Sequence, residues 1–242
     1  FYSLLFTLFL IALFTASLWL IKLPTLTVKA AIPTAPWQLL KNLKQQHPNS
    51  FSIMPSYFLN NFANALPATL FLVFVSNYLQ LESQTGLFLM AYFLAGLVAL
   101  PVWIKLSKSI GKQATWEFSM LLASVSFMGV FFLHAGDSSG FLIICILTGL
   151  SLGVDMAMPA SIQSDLTQKI AEQNTQATGL LFGLWGMLTK LALALAVGLA
   201  FPILDWSTNL NNQNLALLWL YAGLPILLKL LSWRLLIKRK SP

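Results

Sequence analysis

The chain has 242 residues, of which 57% are apolar and only 9% charged. Its mean hydropathy is +0.77, where about a quarter of a soluble globular chain would be charged. The formal net charge of +7 could suit a nucleic-acid binder, but the basic residues lie between and after the apolar blocks, so no nucleic-acid partner is expected. The blocks run to roughly 20 residues without strand-like alternation, the length at which a helix crosses about 30 Å of hydrocarbon. In lipid each backbone polar group must be satisfied within its own segment, so the blocks read as helices.

In chain order, spans are predicted at 2–21, 53–79, 86–105, 114–134, 139–162, 176–203 and 213–237. The fold class is therefore an all-α membrane protein of about seven transmembrane helices. Phe1 to Ile21 lacks the basic segment and small-residue cleavage site of a signal peptide. It reads as a span of a longer chain, with no initiating Met before it. Residues 23–50 form a long linker. Thr34 could cap, and Pro36 could open, a short helix that carries Trp37, Leu39, Leu40 and Leu43 mainly on one side and Lys41 and Lys44 beside them. That pattern suits a helix on a membrane surface; a solvated linker is the alternative. The organisation expected is 1–22 as the last helix of one bundle, 23–50 as linker, and 51–242 as a six-helix bundle with a basic tail.

Alternate connections carry the positive charge. Lys22, Lys29, Lys41 and Lys44 lie in the first, Lys105, Lys108 and Lys112 in the third, Lys169 in the fifth, and Arg234, Lys238, Arg239 and Lys240 in the tail. The others hold Glu82, His134 with Asp137, and Asp205. Positive loops stay in the cytoplasm, which puts the N-terminus of this piece outside and the C-terminus inside.

Ionisable groups within spans cost about 2.5–3.5 kcal/mol on insertion scales and so call for a reason. Lys190 lies about 20 Å into a helix that starts near Ala177, with no acid beside it, and reads as facing an aqueous path. A structural lysine with a partner elsewhere is the alternative. Asp155 sits about two turns from the end of its span and is open between a cavity acid and a helix-end acid. Glu117 reads as structural. Asn60 and Asn64, one turn apart, share a helix face and either bond neighbouring helices or line a polar path. Pro67 permits a bend in the same span. Gly149 with Gly153, and Gly179 with Gly183, are spaced for close helix packing. Asp165 reads as a solvated residue at the end of its span. The single cysteine, Cys145, excludes an internal disulfide and a cysteine metal cluster, and reads as a small core residue. No cofactor or metal is expected.

Three segments are similar to parts of a known superfamily. They are Pro101 to Lys112, a basic loop with Lys105, Lys108, Gly111 and Lys112; Asp155 to Asp165, ending in Ser164-Asp165; and Thr178-Gly179 with Phe182-Gly183-Leu184-Trp185 and Lys190. Together they resemble the C-terminal half of a major facilitator superfamily (MFS) transporter, in particular the glycoside–pentoside–hexuronide cation symporters typified by the melibiose carrier. The resemblance spans essentially the whole chain. It implies that the first span is helix six, that the last six form an MFS-type C-terminal bundle, and that a further N-terminal half is missing here. It also implies a role for Lys190 in substrate or ion handling, in a bacterial inner membrane. Gln168 departs from that family's pattern, which often has an acid there.

The expected function is secondary active transport of a small polar solute by alternating access, with a sugar carried by Na+ or H+ symport as one form of it. Lys190, Asp155, Asn60, Asn64 and Trp185 are the candidate pathway residues. An exporter or carrier of lipophilic, lipid or cell-wall compounds is the runner-up. A seven-helix photoreceptor is remoter, since a retinal protein needs its lysine in the last helix and Lys190 is in the penultimate one. An intramembrane enzyme is equally remote, because His47 and His134 both lie outside the apolar blocks.

Overall fold

The computed structural model describes residues 7, 11, 13–15, 18, 36–46, 48–171, 175–209 and 212–240. Most of the expected first span, and Thr34, lie outside the described residues. Helices account for the rest: α1 (Pro36–Gln46), a short helix Pro48–Ser52, α2 (Met54–Val73), α3 (Thr85–Ile110), α4 (Lys112–Met128), α5 (Ser138–Ala171), α6 (Thr175–Asn209), α7 (Gln213–Leu218) and α8 (Leu224–Lys240). No strand occurs among the described residues.

Six segments are long and apolar enough to cross a membrane: Ser50–Tyr78, Glu82–Ile110, Lys112–Phe132, Ser138–Gln168, Thr178–Thr208 and Gln213–Lys238. They match the six later spans expected from sequence, but several run further. α5 continues to Ala171 and α6 to Asn209, well past the ends of their apolar runs. Two spans contain a π-helical turn, Phe74–Tyr78 after α2 and Trp219–Gly223 between α7 and α8. α3 and α4 are joined by Gly111 alone. Its φ of +89° is open to glycine and strained for other residues, so this one-residue reversal explains the glycine.

Each of the six helices packs on its neighbours: α3 and α4 on α5, α2 and α4 on α8, and α6 on α2 and α5. The interior holds two apolar clusters. One, toward the His134 end, gathers Leu66, Phe74, Phe88, Phe127, Phe141 and Tyr221. The other, toward the Lys112 end, gathers Ile53, Trp103, Trp116, Met158, Trp185 and Leu236. The outer surface is just as apolar, with Val98, Val102, Phe132 and Met156 all more than 60% exposed, as expected of helices solvated by lipid. On α1, Leu43 is buried while Trp37, Lys41 and Lys44 are exposed.

The two glycine pairs have opposite fates. A Cβ at Gly149 would collide with the Tyr92 carbonyl oxygen, and one at Gly153 would lie 2.7 Å from the Gly96 carbonyl oxygen, so this pair sets the close approach of α3 to α5. Gly179 and Gly183 meet nothing within 4 Å. Gly149→Ala should therefore cost about 1–3 kcal/mol through overpacking. Gly183→Ala should be neutral or stabilising by up to about 1 kcal/mol, the helix-propensity difference. Thermal unfolding of the two variants in detergent distinguishes them; equal destabilisation would contradict this account of the α3–α5 contact.

Candidate functional site

Between the two apolar clusters lies a polar layer built around Asp155 on α5. Its side chain is 5% exposed, and it pairs with Lys229 of α8, whose ammonium lies 2.9 Å from Oδ2 and whose side chain is 1% exposed. Oδ2 also accepts from Asn64 Nδ2 at 3.0 Å. Oδ1 accepts from Asn60 Nδ2 and from Trp116 Nε1, each at 3.1 Å; Ser119 Oγ lies 3.5 Å from it and donates to the Trp116 carbonyl at 3.0 Å. Asn60 turns its amide oxygen toward Lys229, which donates to it at 3.0 Å. Four donors from α2, α4 and α8 therefore converge on one carboxylate, as many as its lone pairs take.

Local sequence explains how the helices deliver these groups. Asn60 and Asn64 are separated by one turn, so both amides project from the same side of α2. Trp116 and Ser119 are three residues apart on α4 and likewise share a side. Next to Lys229 on α8, Ser232 Oγ donates to the Ser56 carbonyl at 2.7 Å, one turn from Asn60 on α2. This bond holds α2 and α8 in register beside the ion pair.

Beside the pair is a cavity of about 180 Å³. Asn64, Asp155, Lys229 and Ser151 supply its polar lining, and Tyr92, Phe127, Phe141 and Tyr221 are among its rings. Ser151, one turn before Asp155, is 1% exposed, and its Oγ has no partner among the protein atoms. Buried polar atoms are rarely left so, and an orphan facing a cavity marks a place for a guest's hydrogen bond. Cys145 is buried as expected and also lines this cavity. The ring of Phe74 stacks on Tyr221 with centroids 4.0 Å apart and planes 6° apart, closing the cavity toward the His134 end where both π-helical turns lie.

Of the residues expected from sequence to form a pathway, the structure brings together Asp155, Asn60 and Asn64. Two are elsewhere. Trp185 is 4% exposed and packs on Tyr57 with ring centroids 4.0 Å apart, away from the cavity. Lys190 is exposed on the outer side of α6, in a shallow groove with Gly183, Gly186, Met187, Leu191 and Ala194. Its neighbour Thr189 bonds the Tyr57 hydroxyl at 2.7 Å, one turn from Asn60, so Lys190 lies near the depth of Asp155 but outside its cavity. Asp155 is not near a helix end either, because α5 continues 16 residues to Ala171, about four turns. At the Lys112 end, Asp165 is half-exposed and ion-paired with Lys112 at 2.5 Å rather than merely solvated. Lys105 and Lys108 are exposed on the last turns of α3. Glu117 is 8% exposed and accepts from Gln113 Nε2 at 3.0 Å, a structural contact.

Sequence reading missed Lys229. In the run Leu227-Leu228-Lys229-Leu230-Leu231 it stands amid leucines five residues before Arg234, and it merged with the basic tail. The available signal was charge balance: one deep acid without a partner implies one deep base.

The sequence profile of the family described as MFS/sugar transport protein matches residues 1–238 of the chain. No curated protein matches it significantly.

The ion pair is testable by double-mutant cycle. Removing one partner of a buried pair costs about 3–5 kcal/mol because the other charge is stranded. Asp155→Ala and Lys229→Met should each lower the unfolding midpoint strongly. The double variant Asp155→Ala with Lys229→Met should lose less than the sum of the two single losses; additive losses would mean that the two charges do not interact.

Proposed function

The chain belongs to the MFS/sugar transport protein family, and from that premise we propose that its six-helix bundle binds a small polar solute, a sugar in the first instance, in the cavity beside Asp155 and carries it by alternating access. The family is one of secondary transporters, which points away from an enzyme and from a receptor. The argument against a retinal protein from lysine position does not hold, since Lys229 lies in the last helix with a carboxylate counter-ion; the family is what sets that reading aside.

The observation that carries the proposal is the meeting of the Asn64 amide, the Asp155–Lys229 pair and the unpartnered Ser151 hydroxyl in one cavity walled by aromatic rings. A polyhydroxylated ring matches such walls, with hydroxyls toward the polar layer and C–H faces against the rings. The cavity is smaller than the roughly 300–1,000 Å³ that takes drug-sized ligands, so the solute is small. Asp155 and Lys229 cancel in charge, and a guest without net charge leaves that balance intact.

In this reading the bundle rocks against a second six-helix bundle around the bound solute. Support comes from the outer side of α6, where Gly179, Gly183, Gly186 and Ala194 leave room for close approach and Lys190 stands among them. Lys190 is then exposed to the water-filled path between bundles, where its charge is hydrated. Coupling to Na+ or H+, and a cytoplasmic Lys112 end, are part of the same proposal; the orientation rests on the basic loops.

A carrier of lipophilic compounds has one observation in its favour, since Phe71, Leu89, Phe93, Phe127 and Ile144 make much of the lining apolar. Such a guest would leave the Ser151 hydroxyl unmet. Cys145, the single cysteine, reports directly on the cavity. In proteoliposomes of the complete protein, with any cysteine outside these 242 residues replaced, galactose or glucose should slow alkylation of Cys145 by N-ethylmaleimide several-fold. Protection by tetraphenylphosphonium and by none of the sugars would replace the sugar reading with the lipophilic one. Separately, Lys190→Ala should depress uptake without shifting the unfolding midpoint, because no hydrogen bond or ion pair among the described residues reaches that side chain. Unchanged uptake would remove Lys190 from the pathway.

A further inference from the structure

The groups around Asp155 have an asymmetry that the transport reading does not use. Three of the four donors, from Asn60, Asn64 and Trp116, come from α2 and α4, and two of them, Asn64 and Trp116, make no bond to Lys229. The carboxylate would thus remain held in place if the lysine were taken away. What the lysine alone supplies is a cation, seated 2.9 Å from Asp155 Oδ2 and 3.0 Å from Asn60 Oδ1. Carboxylate and amide-carbonyl oxygens are the ligands that hard monovalent cations take in proteins. Asn60 serves both partners, with its oxygen toward the cation and its nitrogen toward Oδ1 of the acid. Lys229 and Asp155 both line the cavity, so the position has room beside it for water that could complete an ion's shell. Ser56, one turn from Asn60, adds a fully buried hydroxyl oxygen without a partner on the same stretch of α2.

We infer that the oxygens of Asp155 and Asn60 form a preorganised site for a small monovalent cation, and that the Lys229 ammonium is its tethered occupant. A tethered cation has a high local concentration and no translational entropy left to lose, so free ions do not displace it. The native bundle then binds no free cation at Asp155, and any ion coupling of transport takes place elsewhere. Vacating the position by Lys229→Ala creates a site open to Na+, K+ or methylammonium and closed to the bulky choline ion. The inference rests on the ion-pair geometry and stands or falls separately from the identity of the solute.

The test compares unfolding midpoints of the complete protein in NaCl, KCl, methylammonium chloride and choline chloride at equal ionic strength. For Lys229→Ala, at least one small cation should raise the midpoint by about 3 °C or more over choline. The native protein and the double variant Asp155→Asn with Lys229→Ala should show no such difference. If Lys229→Ala folds only when prepared in a small cation, while the double variant folds in all four salts, the inference is supported equally. Equal midpoints of Lys229→Ala in all four salts would overturn it. So would failure of that variant to fold in any salt while the double variant folds, or the same small-cation response in the double variant.

Discussion

A carboxylate inside a helix bundle that is apolar within and without has no solvent to fall back on, and the fold around Asp155 is organised by that fact. Its donors must come from protein, and no single helix can supply them all. Asn60 and Asn64 reach it from α2, Trp116 from α4, and Lys229 from α8. Four of the six membrane helices are thereby fixed in rotation and in height at one level. A turn's slip of α2 or α8 would withdraw an amide or strand an ammonium, so the polar layer specifies the packing more narrowly than dispersion contacts between leucines can. The Ser232 to Ser56 bond repeats the same requirement one turn away.

The layer also accounts for the cavity. Above and below it, aromatic and aliphatic side chains interdigitate in the two clusters. At the layer itself the side chains are directed at one carboxylate, and directional bonds do not fill space as apolar packing does. The volume beside Asp155 is what that leaves, and Ser151 opens its hydroxyl into it. The stacked rings of Phe74 and Tyr221 each belong to one of the two π-helical turns.

The spans were legible because lipid demands about 20 apolar residues regardless of fold, and the one-turn spacing of Asn60 and Asn64 was legible because a helix face is a local property. The partner of Asp155 was not. Lys229 is separated from it by 74 residues, and a contact between two helices so far apart in sequence leaves no local pattern. Nor could sequence say which side of α6 carries Lys190. In a soluble helix the polar face marks the outside. Here the lipid-facing side is as apolar as the core, with Val98 and Val102 exposed and Leu66 and Phe74 buried, so the periodic signal vanishes. The ends of α5 and α6 were placed too early for a related reason: hydropathy marks where a helix leaves the hydrocarbon, and both helices continue beyond that point.

Lys190 and Lys229 show what the same residue needs in two settings. Lys229 is buried, and its desolvation is offset by a carboxylate 2.9 Å away that other donors already hold in place. Lys190 has no such partner among the described residues, and it lies about 22 Å along α6 from Thr175, too deep for its stem to reach the Lys112 end with ease. Left against hydrocarbon it would cost about 2.5–3.5 kcal/mol on insertion scales. The side of α6 that carries it is therefore ill suited to lipid, and its glycines are equally ill suited, since they give lipid chains little side chain to pack on. Both features are met by a surface that faces water in one state and closes against another helix bundle in the next. That is the physical ground on which the proposed role of Lys190 rests, and it is independent of the chemistry assigned to Asp155.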